Sequence, residues 1–177
     1  YYPVLVELGF VPLLKYAAPQ LCSLYHFSYL ILLGALAAAV VYERTEEPES
    51  ALAALLMTIS LPLCQRIAAT PLVQLGTAVY VTAAVFFLIR WAERGGALMV
   101  LCAGLALGLS VHSSSAGMLA GMLLLALTIA LGAQARKSAL AVSGAFIAAA
   151  VLVAVITTPL MIRNLLWTTN PFFPLLK

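Results

Sequence analysis

Pro159, Arg163, Asn164, Trp167, Asn170, Pro171 and Pro174 crowd into one short stretch near the end of the chain. A guanidinium beside a carboxamide offers a planar fork of donors next to a group that both donates and accepts, a set suited to phosphate or carboxylate oxygens. Comparable groups elsewhere are few: Glu7, Arg66 and the turn His112-Ser113-Ser114-Ser115. A carboxylate can take a proton from a hydroxyl, and a charged imidazole can donate one. The candidate ligand-binding residues are therefore Glu7, Arg66, His112, Ser114, Arg163, Asn164 and Asn170. The run Glu43-Arg-Thr-Glu-Glu-Pro-Glu-Ser50 is acidic but lacks the Asp/Asn/Gly spacing of a calcium loop. It reads as a solvated loop, with Ser50 as the N-cap of the next helix. Cys22, Cys64 and Cys102 have no CxxC spacing and read as small buried hydrophobes. Neither a metal nor a cofactor is expected.

The elements that must position these groups are set by composition. Hydrophobic residues make up 64% of the chain and charged residues 8%, against about 45–50% and about 25% in soluble domains. Mean hydropathy is +1.11, so the chain reads as an all-α, polytopic transmembrane bundle. At about 20 residues per span, its 177 residues leave room for five or six crossings in one domain. The net charge of +3 is too small and too scattered to suggest a nucleic-acid partner, and none is expected. The opening Tyr1-Tyr2-Pro3, with neither Met nor a basic n-region, reads as the start of an internal fragment.

Residues 1–19, broken by Gly9 and Pro12 and edged by tyrosines, suit a short interfacial helix. Apolar runs predict about six further helices, at 21–42, 51–67, 72–91, 97–111, 116–132 and 139–160. The fourth and fifth meet at His112–Ser115, and their combined length favours two short spans over one interrupted helix. Gly104/Gly108 and Gly117/Gly121 flank that turn as two GxxxG pairs, expected where the two helices pack closely. Pro62 should loosen the second span. Pro159 should loosen the last one, and Pro171 must lie beyond its end.

Counting alternate sides, one end collects Arg44, Arg90, Arg94, Arg136 and Lys137 together with Glu43, Glu46, Glu47, Glu49 and Glu93. The other collects Lys15, Arg66, Arg163 and Lys177 against Glu7 alone. Five cations against four assign the first end to the cytoplasm. The second end gathers the proline breaks and the polar turn, and its excess positive charge suits an anionic amphiphile such as a lipid phosphate.

Three motifs carry a family resemblance: Tyr1-Tyr2-Pro3-x-Leu5-Val6-Glu7, Gly104-Leu-Ala-Leu-Gly108-Leu before the polar turn, and Pro159-x3-Arg163-Asn164-x2-Trp167-Thr168-x-Asn170-Pro171-x2-Pro174. With them the chain resembles the multispanning GT-C glycosyltransferases, of the protein O-mannosyltransferase and aminoarabinose-transferase type. The resemblance implies transfer of a sugar from a polyprenyl-phosphate carrier to a protein or glycolipid acceptor, at the extracytoplasmic side of a bacterial or archaeal plasma membrane. It also implies a catalytic carboxylate in a loop upstream of Tyr1, so that this fragment alone would not turn over. Where the family offers a Thr-Lys pair for the carrier phosphate, this chain has Ser113-Ser114; where it offers an acid after Pro71, this chain has Gln74.

Each candidate also has a plainer role. Arg163 and Arg66 can anchor helix ends at the interface. Glu7 can pair with Lys15 or Arg66, and His112 can be a hydrogen-bonded turn residue. His26 reads as bundle packing, and Trp167, Phe172 and Phe173 as an aromatic belt. The alternative function is a non-enzymatic transporter or lipid-handling bundle, because discontinuous spans also build transport sites.

Overall fold

The structure, a computed structural model, describes residues 8–16, 20–69 and 73–169. These form eight helices of seven to thirty residues: α1 Phe10–Tyr16, α2 Gln20–Thr45, α3 Pro48–Ser60, α4 Pro62–Ala68, α5 Gln74–Arg94, α6 Ala97–Ser113, α7 Ser115–Gln134 and α8 Ala139–Thr168. There is no strand among the described residues. Four helices are long and apolar enough to cross a membrane: Leu21–Thr45, Gln74–Arg94, Ala116–Gln134 and Ala139–Thr168. α3 and α4 qualify only as a pair, and α6 is a shorter apolar helix. The outward side chains include Leu123, Met122, Leu140 and Leu166. Such a surface is at home in acyl chains, and the chain is a multi-pass integral membrane protein with an all-α bundle fold.

The second predicted span is a broken one. α3 and α4 meet at an angle of 60°, with Leu61 extended at φ −58° and ψ 120° and Pro62 opening α4. The proline ring bars its predecessor from the α region, while its missing N–H costs nothing at a first helical position. The loop before α3 is shorter than the acidic run suggests. α2 continues through Glu43 and Arg44 to Thr45, and α3 is capped at Glu47 with Pro48 behind it. Ser50 is therefore not the N-cap; its hydroxyl donates to the Glu47 carboxylate, 2.8 Å away.

The bundle is built around α6, which packs on α5, α7 and α8, while α2 packs on α3 and α5. Leu88, Ala103 and Leu107 form the fully buried centre of the α5–α6–α7 core. A second core joins α1, α2, α4 and α5 through Phe10, Tyr29, Leu30, Ala68 and Leu75. The two glycine pairs do not face one another. Gly104 and Gly108 lie against Ala149, Leu152 and Ile156 of α8, whereas Gly117 and Gly121 lie against Ser110 and Val111 of α6. Residues four apart share one helix face, so α6 presents its glycines to one neighbour and receives the glycines of the other on a different face.

The last span is longer than predicted. α8 does not end near Leu160 but runs for 30 residues to Thr168 with Pro159 inside it. At 1.5 Å per residue that is about 45 Å, well beyond a hydrocarbon core of about 30 Å. Pro159 removes one ladder donor, and the hydroxyls of Thr157 and Thr158 donate to the Val153 and Ala154 carbonyls in the same turn, both at 2.7 Å. Unwinding here would strip more backbone groups of partners than one proline does, which favours the continuous helix in an apolar medium.

Candidate functional site

Ser114 is the hinge of the α6–α7 connection. Its backbone is extended, at φ −161° and ψ 161°, and it both ends α6 and caps α7. Its Oγ accepts the Gly117 amide at 3.0 Å and the Thr77 hydroxyl of α5 at 2.9 Å. Two donors on one hydroxyl oxygen fill its lone pairs. Ser114 therefore ties three helices together, and only its own proton is left for a ligand. Ser110 and Ser113 beside it are fully buried. His112 occupies the last turn of α6, half-buried, with Nδ1 enclosed and without a hydrogen bond to any described residue.

Arg163 and Asn164 lie within α8, not in an unwound exit. Asn164 is buried at 1% exposure, and its Oδ1 accepts from Arg163 Nη2 at 3.2 Å. α6 and α8 run parallel: Gly104 meets Ala149 and Leu152, and Gly108 meets Ile156. Continued for another turn, this register carries α8 past the end of α6 at about Leu160, so Arg163 and Asn164 stand about one turn beyond the Ser114 hinge. Arg66 is exposed near the end of α4, a helix that packs on α2, α3 and α5 and not on α6, α7 or α8. The candidates thus fall into two groups, Arg66 on one side of the bundle and His112, Ser114, Arg163 and Asn164 on the other. Glu7 and Asn170 lie outside the described residues, as do Pro71, Phe172 and Phe173.

The opposite end is ordered by charge. Glu43 Oε1 takes Arg90 Nε at 2.8 Å and an Arg94 guanidinium nitrogen at 2.7 Å, and Arg44 meets Glu93 at 2.7 Å. Arg90 also lies over the Phe86 ring, 4.9 Å from its centroid. These contacts join α2 to α5 and confirm that 43–45 and 90–94 share one end of the bundle, as alternate counting requires. All five acids among the described residues belong to this end.

Sequence reasoning passed over Thr77 and Ser110, and read His26 as bundle packing alone. Each is a polar residue inside an apolar helix, and that alone is a reason to look for a partner or a role. His26 is fully buried, and its ring reaches the Ala68 backbone carbonyl without making a hydrogen bond of normal geometry. Tyr29 lies 6.1 Å away, centroid to centroid, and continues through hydroxyl contacts to Tyr25 at 2.9 Å and Tyr80 at 3.5 Å. A buried polar group held only by a poorly aligned contact costs stability that an apolar one does not. His26→Leu is therefore expected to stabilise by about 1 kcal/mol, seen as a higher melting temperature in detergent; a lower one would show that the ring makes a compensating polar contact.

No protein-family model, curated protein or solved structure matches the chain.

Proposed function

We propose that this chain is part of a membrane glycosyltransferase that moves a sugar from a polyprenyl-phosphate carrier to a protein or glycolipid acceptor. The reaction is assigned to the extracytoplasmic surface of a bacterial or archaeal plasma membrane. The observation that carries this reading is the separation of charge by end. The acids Glu43 and Glu93 are engaged by arginines at one end, while Lys15, Arg66 and Arg163 share the other with no described acid. Summed over each end, the first balances its five cations with five acids while the second is positive, so an anionic carrier headgroup is drawn more strongly to the second. As the glycosidic bond breaks, charge grows on the leaving phosphate, and a preplaced guanidinium stabilises it. Arg163, steadied by Asn164, is the group assigned to that task; His112 and the Ser114 hydroxyl proton supply further donors. Glu7 is the one acid that the sequence puts at this end.

A second reading, a transporter or lipid-handling bundle, draws support from the 60° break between α3 and α4, because broken spans place backbone groups inside transport sites. Arg163→Ala in the protein that contains this chain separates the two. Transfer from a polyprenyl-phosphate sugar is expected to fall by about 10²-fold or more, with membrane insertion unchanged. Transfer at the parent rate, or a protein that accumulates solute and transfers nothing, overturns the enzyme reading.

A further inference from the structure

The end opposite the candidate site holds a second feature, which depends on neither reading above. Of its five cations, Arg44, Arg90 and Arg94 are neutralised by Glu43 and Glu93. Arg136 and Lys137 make no ion pair with a described residue. Both sit in the turn between α7 and α8, and the turn is well defined. Arg136 is left-handed at φ 53°, its amide donates to Ala133 O and that of Lys137 to Gly132 O, each at 3.0 Å. This is the paired hydrogen-bonding of a Schellman motif, which fixes the two cations side by side. The Lys137 ammonium is held over the Trp91 ring, 5.5 Å from its centroid.

Below Lys137 a groove of about 550 Å³ opens between α7 and α8, lined by Ile129, Ala133, Val142, Phe146 and Ile147. From Ala139 to Ile147 it follows α8 for about 12 Å, close to the depth of one leaflet of a hydrocarbon core of about 30 Å. The first turn of α8 carries no acid and is capped by Ser138, so the positive end of the helix also faces the mouth of the groove. We propose that this groove binds one anionic phospholipid, with its phosphate at Arg136 and Lys137 and an acyl chain along Val142, Phe146 and Ile147. Charge complementarity selects the occupant: an apolar slot of one leaflet depth with Lys137 in its lining and Arg136 beside it in the turn, neither in an ion pair with a described residue, matches a phosphate on an acyl chain, and basic pockets between spanning helices bind such headgroups.

Trp91 lines a neighbouring groove between α6 and α8 and reports on this site through the Lys137 ammonium that lies over its ring. The test uses a Trp167→Phe background, which leaves Trp91 as the one tryptophan, reconstituted in phosphatidylcholine vesicles containing a minority of phosphatidylglycerol. Bromine is placed on the acyl chains of one lipid or the other. Brominated phosphatidylglycerol is expected to quench Trp91 more than its share of the bilayer predicts. Arg136→Gln with Lys137→Gln should reduce that preference by about five-fold per cation. Ala133→Phe, at an exposed position, should block the slot and remove the preference with both cations intact, which distinguishes a seated lipid from general attraction to a charged surface. Quenching in proportion to composition, a preference that survives either variant, or quenching that depends on protein dilution and not on headgroup overturns the proposal; the last would assign the groove to a second copy of the chain.

Discussion

Gly117→Ala is expected to destabilise the protein by about 3 kcal/mol or more, lowering the melting temperature in detergent by about 10 °C. A methyl group at this position would run into the Ser110 carbonyl oxygen, with the carbonyl carbon at 2.6 Å and Oγ at 2.9 Å. The obstacle is backbone, so no rotamer change relieves it. α7 must move off α6, and the movement strains the Gly117 amide to Ser114 contact and the Thr77 to Ser114 hydrogen bond that tie the hinge to α5. Two other glycines calibrate the effect. At Gly121 the added methyl meets Val111 Cγ2 at 2.7 Å, the end of a side chain, and the cost should be smaller. At Gly144 it meets nothing within 4 Å, and replacement should stabilise by up to about 1 kcal/mol through helix propensity. Thermal unfolding of the three variants in one detergent checks the order; a Gly117→Ala protein as stable as the parent would mean that α6 and α7 are not in this contact.

Glu43→Ala should be the most costly change among the charged residues, by about 2–3 kcal/mol. The Glu43 side chain is 13% exposed and receives two guanidinium groups, from Arg90 at 31% exposure and Arg94 at 61%. Its loss leaves Arg90 partly buried without its acceptor, on the only ion-paired junction between α2 and α5 among the described residues other than Arg44–Glu93. A double-mutant cycle should divide the effect unequally. Coupling of Glu43 to Arg90 is expected at about 1–2 kcal/mol, and to Arg94, which water and salt screen, at no more than about 0.5 kcal/mol. Arg44–Glu93, at 52% and 41% exposure, should contribute no more than the latter. Equal coupling to Arg90 and Arg94 would show that burial does not set the strength of this network.

Neither effect was legible in the acidic run or the glycine spacing alone. The four glutamates between 43 and 49 are indistinguishable by type, and only the continuation of α2 through Thr45 turns Glu43 toward α5 while leaving Glu46 and Glu47 in the loop and Glu49 in the first turn of α3. GxxxG spacing likewise states that a helix face is smooth without stating which helix lies against it. The candidate site was legible in part. The order of spans correctly put His112–Ser114 and Arg163 at one end, because each crossing reverses direction. What it missed was local geometry. Ser114 is spent on capping and on Thr77, Asn164 is buried inside a helix that the prolines were expected to unwind, and Arg66 belongs to a helix that does not reach α8.

The sequence by itself determined the class of this protein. An apolar content of 64% with 8% charge has no stable arrangement in water, and apolar runs of spanning length must form helices in lipid because every backbone amide needs a partner within its own segment. Only the tertiary structure decided which helices touch. In a bilayer the outward and inward faces of a helix are equally apolar, so periodicity does not mark the buried side as it does in water. Contact is decided instead by close fit, a glycine against a carbonyl or a carboxylate between two arginines, and fit is a property of two surfaces that one chain of residues does not reveal until it is folded.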